Sequence, residues 1–198
     1  MFANRFTAII DACVLASVAR RDLILSLAKA ELFRLRWTGQ ILSETESAIV
    51  NILMKRDFLK PEAAERAGRA VANIRTAFPE ANVMGHDELA SALAGLPDPR
   101  DRHVVAAAIH CKASVIVTDN LKDFPAEVLS QYEIEPKSAD DFIADAIDLD
   151  YERSIKAIRG LRERLQNPAL TGPEILERWR DQKLVQTAQL LNPHLDKL

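Results

Sequence analysis

An α/β fold, a central parallel β-sheet flanked by helices with an α-helical C-terminal extension, is the class this sequence predicts, and three observations predict it. The apolar, β-branched runs Phe6–Ile10 and Ala113–Thr118 each stop at an acid, Asp11 and Asp119, as buried parallel strands do where they pass into a turn. Amphipathic helical segments fill the intervals between such runs, the alternation of βαβ units. Beyond Asp150 no strand-like run remains. The expected division is a sheet domain over residues 1–148 and a helical extension over residues 149–198.

Taken in order, Phe6–Ile10 is the first strand, followed by a short helix from Val14 to Val18. Arg20-Arg21-Asp22 interrupts before a longer helix from Leu23 to about Phe33, with Leu35 continuing its apolar side, Arg34 and Arg36 toward solvent, and Trp37 closing the segment. Thr38-Gly39 offers an N-cap for a helix from Gln40 to Arg56, whose apolar side carries Ile41, Leu42, Thr45, Ile49, Ile52 and Leu53. Pro61, with Glu62 and Glu65 in the first turn, opens the next helix, which ends near Phe78-Pro79. Asn82–Met84 reads as a short strand and His86–Leu96 as a short helix stopped by Gly95. From Asp101 the run Arg102–Ile109 is strongly helical. Ala113–Thr118 is the next strand, Ala126–Tyr132 a short helix, and Ile134 marks a last short strand. Ser138-Ala139-Asp140-Asp141 forms a capping box ahead of Phe142–Leu149. The extension holds three helices, Tyr151–Leu165, Pro173–Trp179 and Gln182–Leu191, parted at Asn167-Pro168 and near Gln182.

Of the 198 residues, 48% are hydrophobic and 28% charged, the balance of a folded globular chain long enough to bury a substantial core. Cys13 and Cys111 sit in apolar settings and are expected as buried free thiols in a reducing cytoplasm. No window approaches the ~18 uninterrupted apolar residues a spanning helix needs. Asp11 breaks the N-terminal run that would otherwise resemble a signal peptide. A cytoplasmic protein away from membranes is expected.

The net charge is −3, with 17 Lys+Arg against 23 Asp+Glu over residues 1–150 and 9 against 6 over residues 151–198. Nothing global therefore attracts nucleic acid, and such binding needs local basic patches. Arg20, Arg21, Arg34, Arg36, Lys55 and Arg56 are either phosphate contacts beside the acidic edge or a solvated face. Arg153, Lys156, Arg159, Arg162 and Arg164 form a basic helix that either touches RNA or simply packs. His86, His103, His110 and His194 make no zinc spacing with the cysteines and are expected as surface or partly buried polar groups. No glycine-rich phosphate loop is present.

Four carboxylates fall where the topology brings them together. Asp11 and Asp119 end strands, Asp101 opens a helix, and Glu44 lies on or beside an inward helical face, with Glu46 the alternative. Parallel strands end at one edge, where open α/β sheets place their crevices. Asp11 and Asp101 also admit the simpler reading of helix caps. Carboxylates gathered this closely repel and raise one another's pKa unless a divalent cation neutralises them. Oxygen-only donors select Mg²⁺ or Mn²⁺ over zinc. The chemistry this implies is metal-assisted hydrolysis of a phosphodiester.

These residues also carry a resemblance. Ile9-Ile10-Asp11-Ala12-Cys13-Val14-Leu15, the helix from Trp37 to Leu53 with Ile41-Leu42-Ser43-Glu44, Asp98-Pro99-Arg100-Asp101-Arg102-His103 with the following Val104–Ala108, and Val115–Phe124 with its Thr118-Asp119-Asn120 resemble, in order and spacing, a PIN domain. The chain looks most like the VapC toxins of bacterial toxin–antitoxin pairs that carry a C-terminal helical extension. The resemblance covers residues 5–145 well and the tail more loosely. It implies a Mg²⁺-dependent ribonuclease with Mn²⁺ as substitute, an RNA substrate, a cognate antitoxin and a homodimer. It makes Asp11 and Asp101 direct metal ligands and Glu44 the acid that completes the site or orients the attacking water. The family's fourth acid stands where this chain has Asn120, so Asp119 or Asp123 takes its place. Cys13 replaces a family Asn, and Thr118 matches a hydroxyl that orients a site carboxylate. Two other readings compete: an inactive PIN-like scaffold that binds RNA or a protein partner, and an aspartyl phosphatase or receiver domain, which needs an Asp where Cys13 stands.

Overall fold

The computed structural model describes residues 6–93, 95–166 and 168–198. Asn167, where the sequence predicts a break between helices, lies outside the described residues. By internal contacts the described chain falls into two compact units. One holds Phe6–Ser17 and Leu35–Lys137; the other holds Val18–Arg34 and Ser138–Leu198.

The sheet has five strands: β1 (Thr7–Ile10), β2 (Arg34–Thr38), β3 (Asn82–Val83), β4 (Val115–Val117) and β5 (Glu135–Lys137), in the order β3-β2-β1-β4-β5. β1 pairs with β4 in parallel, Ile10 opposite Val117, and β4 pairs with β5, Val117 opposite Lys137. Central strands with both faces covered need continuous apolar runs. Ile9, Ile10, Ile116 and Val117 are accordingly sealed from solvent.

β2 corrects the sequence reading, which ran a helix to about Phe33, kept Leu35 on its apolar side and placed no strand before Trp37. The helix before it, α2 (Val18–Lys29), ends earlier, and Glu31 at φ 61° turns the chain in the left-handed conformation common past a helix end. Leu35 and Trp37 are then buried while Arg34 is exposed and Arg36 half-buried. That is the period-2 alternation of a strand, hidden in the sequence because Leu27, Ala30 and Leu35 also sit near helical spacing. Nor do Arg20-Arg21-Asp22 interrupt a helix: α2 runs through them and buries Leu23, Ile24, Leu27 and Ala28.

In the sheet unit, α1 (Ala12–Leu15) is a single turn and α3 (Gly39–Met54) is capped by the Thr38 hydroxyl, which accepts from the Ile41 N–H at 3.0 Å. α4 (Lys60–Ala77) has Pro in its first turn and buries Ala63, Ala67, Val71 and Ile74, a stripe at helical spacing that faces inward. α5 (Asp87–Ala92) and α6 (Arg102–His110) follow, then α7 (Ala126–Leu129). α6 buries every residue from His103 to Ala108.

In the other unit, α2 joins α8 (Ala139–Leu149), α9 (Tyr151–Arg164), α10 (Gly172–Asp181) and α11 (Val185–Leu191). Leu23, Ile24 and Leu27 of α2, Phe142 and Ile147 of α8, and Ile155, Ile158 and Leu161 of α9 supply its core. Phe33 packs edge-on to Phe142 at 4.8 Å between centroids. Thr171 and Glu174 form a capping box ahead of α10. Among the described residues no helix is long and apolar enough to cross a membrane.

Candidate active site

The register of β1 on β4 sets Asp11 beside Thr118, one residue past the Ile10–Val117 pair. The Asp11 N–H donates to Val117 O at 3.0 Å and the Thr118 N–H to Lys137 O at 2.9 Å, so both residues are still fixed by the ladder as they leave it. The buried Thr118 hydroxyl donates to Asp11 Oδ2 at 2.7 Å and accepts from the Asn120 N–H at 3.1 Å. Asp11 Oδ1 accepts from the Ala12 N–H at 2.6 Å, so the carboxylate caps α1 while its other oxygen faces Thr118 and Cys13.

Asp101 occupies the N-cap position of α6, yet its side chain makes no capping hydrogen bond. Its carboxyl is pushed up to about 6, first by burial and then by the negative charges of Asp11, Asp98 and Asp123, with His103 acting the other way. Asp11 and Asp101, distant in sequence, therefore share one acidic locality. Asp119 lies exposed on the turn after β4, its N–H directed at the Cys13 sulfur. Asp123 is the acid of that turn whose charge reaches Asp101, and Asn120 Nδ2 donates to Asp123 Oδ2.

Glu44 sits on α3 with 43% of its side chain exposed. Gln40 Nε2 donates to its Oε1 at 3.0 Å, and His103 Nε2 lies 3.2 Å from the same oxygen. Burial raises its proton affinity, but the hydrogen bonds from His103 and Gln40, with the charges of His103 and Arg100, outweigh that and hold the carboxyl below its usual range. Glu46 is placed elsewhere, its Oε1 3.6 Å from where a Gly68 Cβ would stand. Arg100 chelates Asp98, with Nη2 2.6 Å from Oδ2.

Two expectations about side chains need correction. His86 and His103 are buried, at 7% and 6% exposure; His103 opens the run of α6 that is buried through Ala108. Cys13 is free, as expected, but exposed rather than buried, because it stands at the sheet's edge and not within β1. Crowding about its sulfur and the charge of Asp11 push the thiol up to about 12, so it is an inert neighbour of Asp11 at neutral pH.

Among the described residues no three His, Cys, Asp or Glu side chains converge closely enough to hold a metal ion by themselves. The donors of Asp11 and Asp101 are nonetheless carboxylate oxygens, and the raised proton affinity of Asp101 marks a surplus of negative charge. Mg²⁺ fits such a pair, since it is ordinarily held by one or two carboxylates with water and substrate phosphate completing its shell.

A parallel sheet in the order β3-β2-β1-β4-β5 with acids gathered past β1 and β4 is the arrangement of one class of domain. The profile of the PIN domain family matches residues 7–122, and the chain belongs to that family. A second profile, the VapC50 C-terminal domain, matches residues 139–193. Among curated proteins, one of Mycobacterium tuberculosis (strain ATCC 25618 / H37Rv) named "Putative ribonuclease VapC50" is 44% identical over 79 residues, which are 39% of this chain and 46% of that protein. The chain thus matches about half the length of that relative. No solved structure matches it.

Proposed function

We propose that this protein is a Mg²⁺-dependent endoribonuclease and the toxin of a type II toxin–antitoxin pair, acting on RNA in the cytoplasm as a homodimer that its antitoxin silences. The observation that carries this reading is that Asp101, at the start of α6, feels the negative charges of Asp11 at the end of β1, of Asp98 and of Asp123 in the turn after β4, in a chain of the PIN domain family whose relative is named a ribonuclease.

Asp11 and Asp101 would hold the cation, with Mn²⁺ as a substitute. The chemistry such a cation supplies is neutralisation of the charge that grows on the scissile phosphate and a lowered pKa for the attacking water. The Thr118 hydroxyl fixes the rotamer of Asp11. Glu44, kept ionised, accepts a hydrogen bond from that water and orients it. Asp123, held by Asn120, is the fourth acid, in place of Asp119.

The test is cleavage of single-stranded RNA by the full chain with Mg²⁺, with EDTA, and in the Asp11→Asn variant. Activity lost with chelator and in the variant supports the reading; activity retained in Asp11→Asn overturns it. The scaffold reading draws its support from the lack of three convergent ligands among the described residues. Calorimetric titration with MgCl₂ separates the two, since a scaffold takes up no cation at Asp11.

A further inference from the structure

Glu44 is gripped at one oxygen. Gln40, one turn earlier on α3, and His103, on α6, both meet Oε1, at 3.0 Å and 3.2 Å, and no hydrogen bond to Oε2 is found among the described residues. The His103 side chain is 7% exposed. Its Nδ1 is also buried and has no hydrogen-bond partner among the described residues.

Burying an imidazole with one nitrogen unsatisfied is unfavourable. Among Val104, Val105 and Ala106, core packing alone would be served better by Leu. What His103 does that Leu cannot is reach Oε1 of Glu44. The unpartnered Nδ1 is then the bare nitrogen of the ring and Nε2–H the donor, since a buried N–H without an acceptor is the costlier choice. The contact spans two elements: His103 stands two residues beyond Asp101 on the helix that Asp101 opens, so a rigid α6 fixes Glu44 relative to Asp101.

We propose that His103 is the positioning residue of Glu44: it pins Oε1 and leaves Oε2 directed at the reacting water or phosphate. This rests on the reading of Glu44 as a site acid. Outer-shell partners of this kind typically change activity by about 10–100-fold when removed.

The experiment compares the full-length native protein with H103L, which keeps bulk and loses the donor, H103Q, which returns an N–H near the Nε2 position, E44Q, and the double variant, on a single-stranded RNA oligonucleotide with Mg²⁺. For H103L, kcat should fall about tenfold or more while KM moves less than about threefold, and H103Q should recover most of the loss. In the E44Q background H103L should cost nothing further, since a residue acting through Glu44 has nothing left to act on. Independently of activity, NMR should show a protected His103 Nε2–H resonance that is lost in E44A. Native kcat in H103L, an equal loss in the E44Q background, or an Nε2–H unchanged in E44A would overturn the role of His103. Native activity in E44Q would instead remove Glu44 from the site, and the proposal with it.

Discussion

Thr118 donates its hydroxyl hydrogen to Oδ2 of Asp11 across 2.7 Å, joining the ends of two adjacent parallel strands by a single side-chain bond. The Thr118 hydroxyl oxygen in turn accepts from the Asn120 N–H, so one buried hydroxyl orients the carboxylate and shapes the turn that carries Asp119, Asn120 and Asp123. Thr118→Val preserves shape and removes both interactions. Cleavage should fall about 10–100-fold, and chemical denaturation should show a loss of about 1–2 kcal/mol. Unchanged cleavage in a destabilised variant would leave Thr118 a structural residue only.

Asp101 gives a pH dependence of definite sign. Its carboxyl is raised from 3.8 to about 6, so the fold holds this proton more tightly than the unfolded chain does. Its contribution to stability is complete below pH 3.8 and is lost as pH rises through about 6. A shift of this size is worth about 3 kcal/mol at full strength, and solvent screening at a partly exposed group reduces it to about 1 kcal/mol. Asp101→Asn should therefore melt higher than the native protein in EDTA at pH 8 and equally at pH 4, while cleaving no RNA. An offset independent of pH would show that Asp101 bears no excess proton affinity. Protons also compete with a cation here, so Mg²⁺ affinity should weaken as pH drops through about 6.

Glu44 and Glu46 are close in sequence and separate in space. Glu44 meets His103 on α6, while Glu46 lies against Gly68 of α4. Glu44→Gln should lower kcat about a hundredfold while leaving a measurable residual rate, whereas Glu46→Gln should stay within about twofold of native activity, as expected of a residue away from the reaction. A larger effect of Glu46→Gln on kcat would reverse the assignment.

These outcomes bear on what was legible in the residues alone. β1, β4 and the acids at their ends could be read because few elements besides a buried parallel strand produce a β-branched apolar run that stops at a carboxylate. β2 could not, since Leu35 prolongs the helical spacing of Leu27 and Ala30 while it also alternates with Trp37 as a strand residue, and only the left-handed Glu31 separates the two readings. Asp101 was visible as a helix start, but whether its carboxylate caps or faces Asp11 is a matter of rotamer, which periodicity does not encode. The contact of His103 with Glu44 was hidden for a related reason, since no spacing rule links α3 to α6, whereas the Gln40–Glu44 bond follows the i,i+4 spacing of one helix and could have been read. The one available signal was a lone histidine beside the apolar run Val104–Ala108, a buried polar group that asks for a partner.

The same kind of long-range pairing fixes the C-terminal helices and supplies the last prediction. α11 has no side-chain cap of its own at Leu184. Asp140, in the first turn of α8, provides one, accepting from the Gln186 N–H at 2.8 Å through Oδ2 and from the Thr187 N–H at 2.9 Å through Oδ1. One carboxylate thus complements the positive ends of two helices and satisfies two backbone donors that α11 leaves open. Asp140→Ala should cost about 1–3 kcal/mol, since Thr187 is buried and its amide has no other acceptor among the described residues. Asp140→Asn, which keeps one acceptor and loses the charge, should cost less. Hydrogen exchange should localise the effect, with the Gln186 and Thr187 amides losing protection first and those of β1 and β4 unchanged. Equal protection of both amides in the Ala variant would mean that apolar packing of Ala188 and Leu191, rather than this cap, holds α11 against α8.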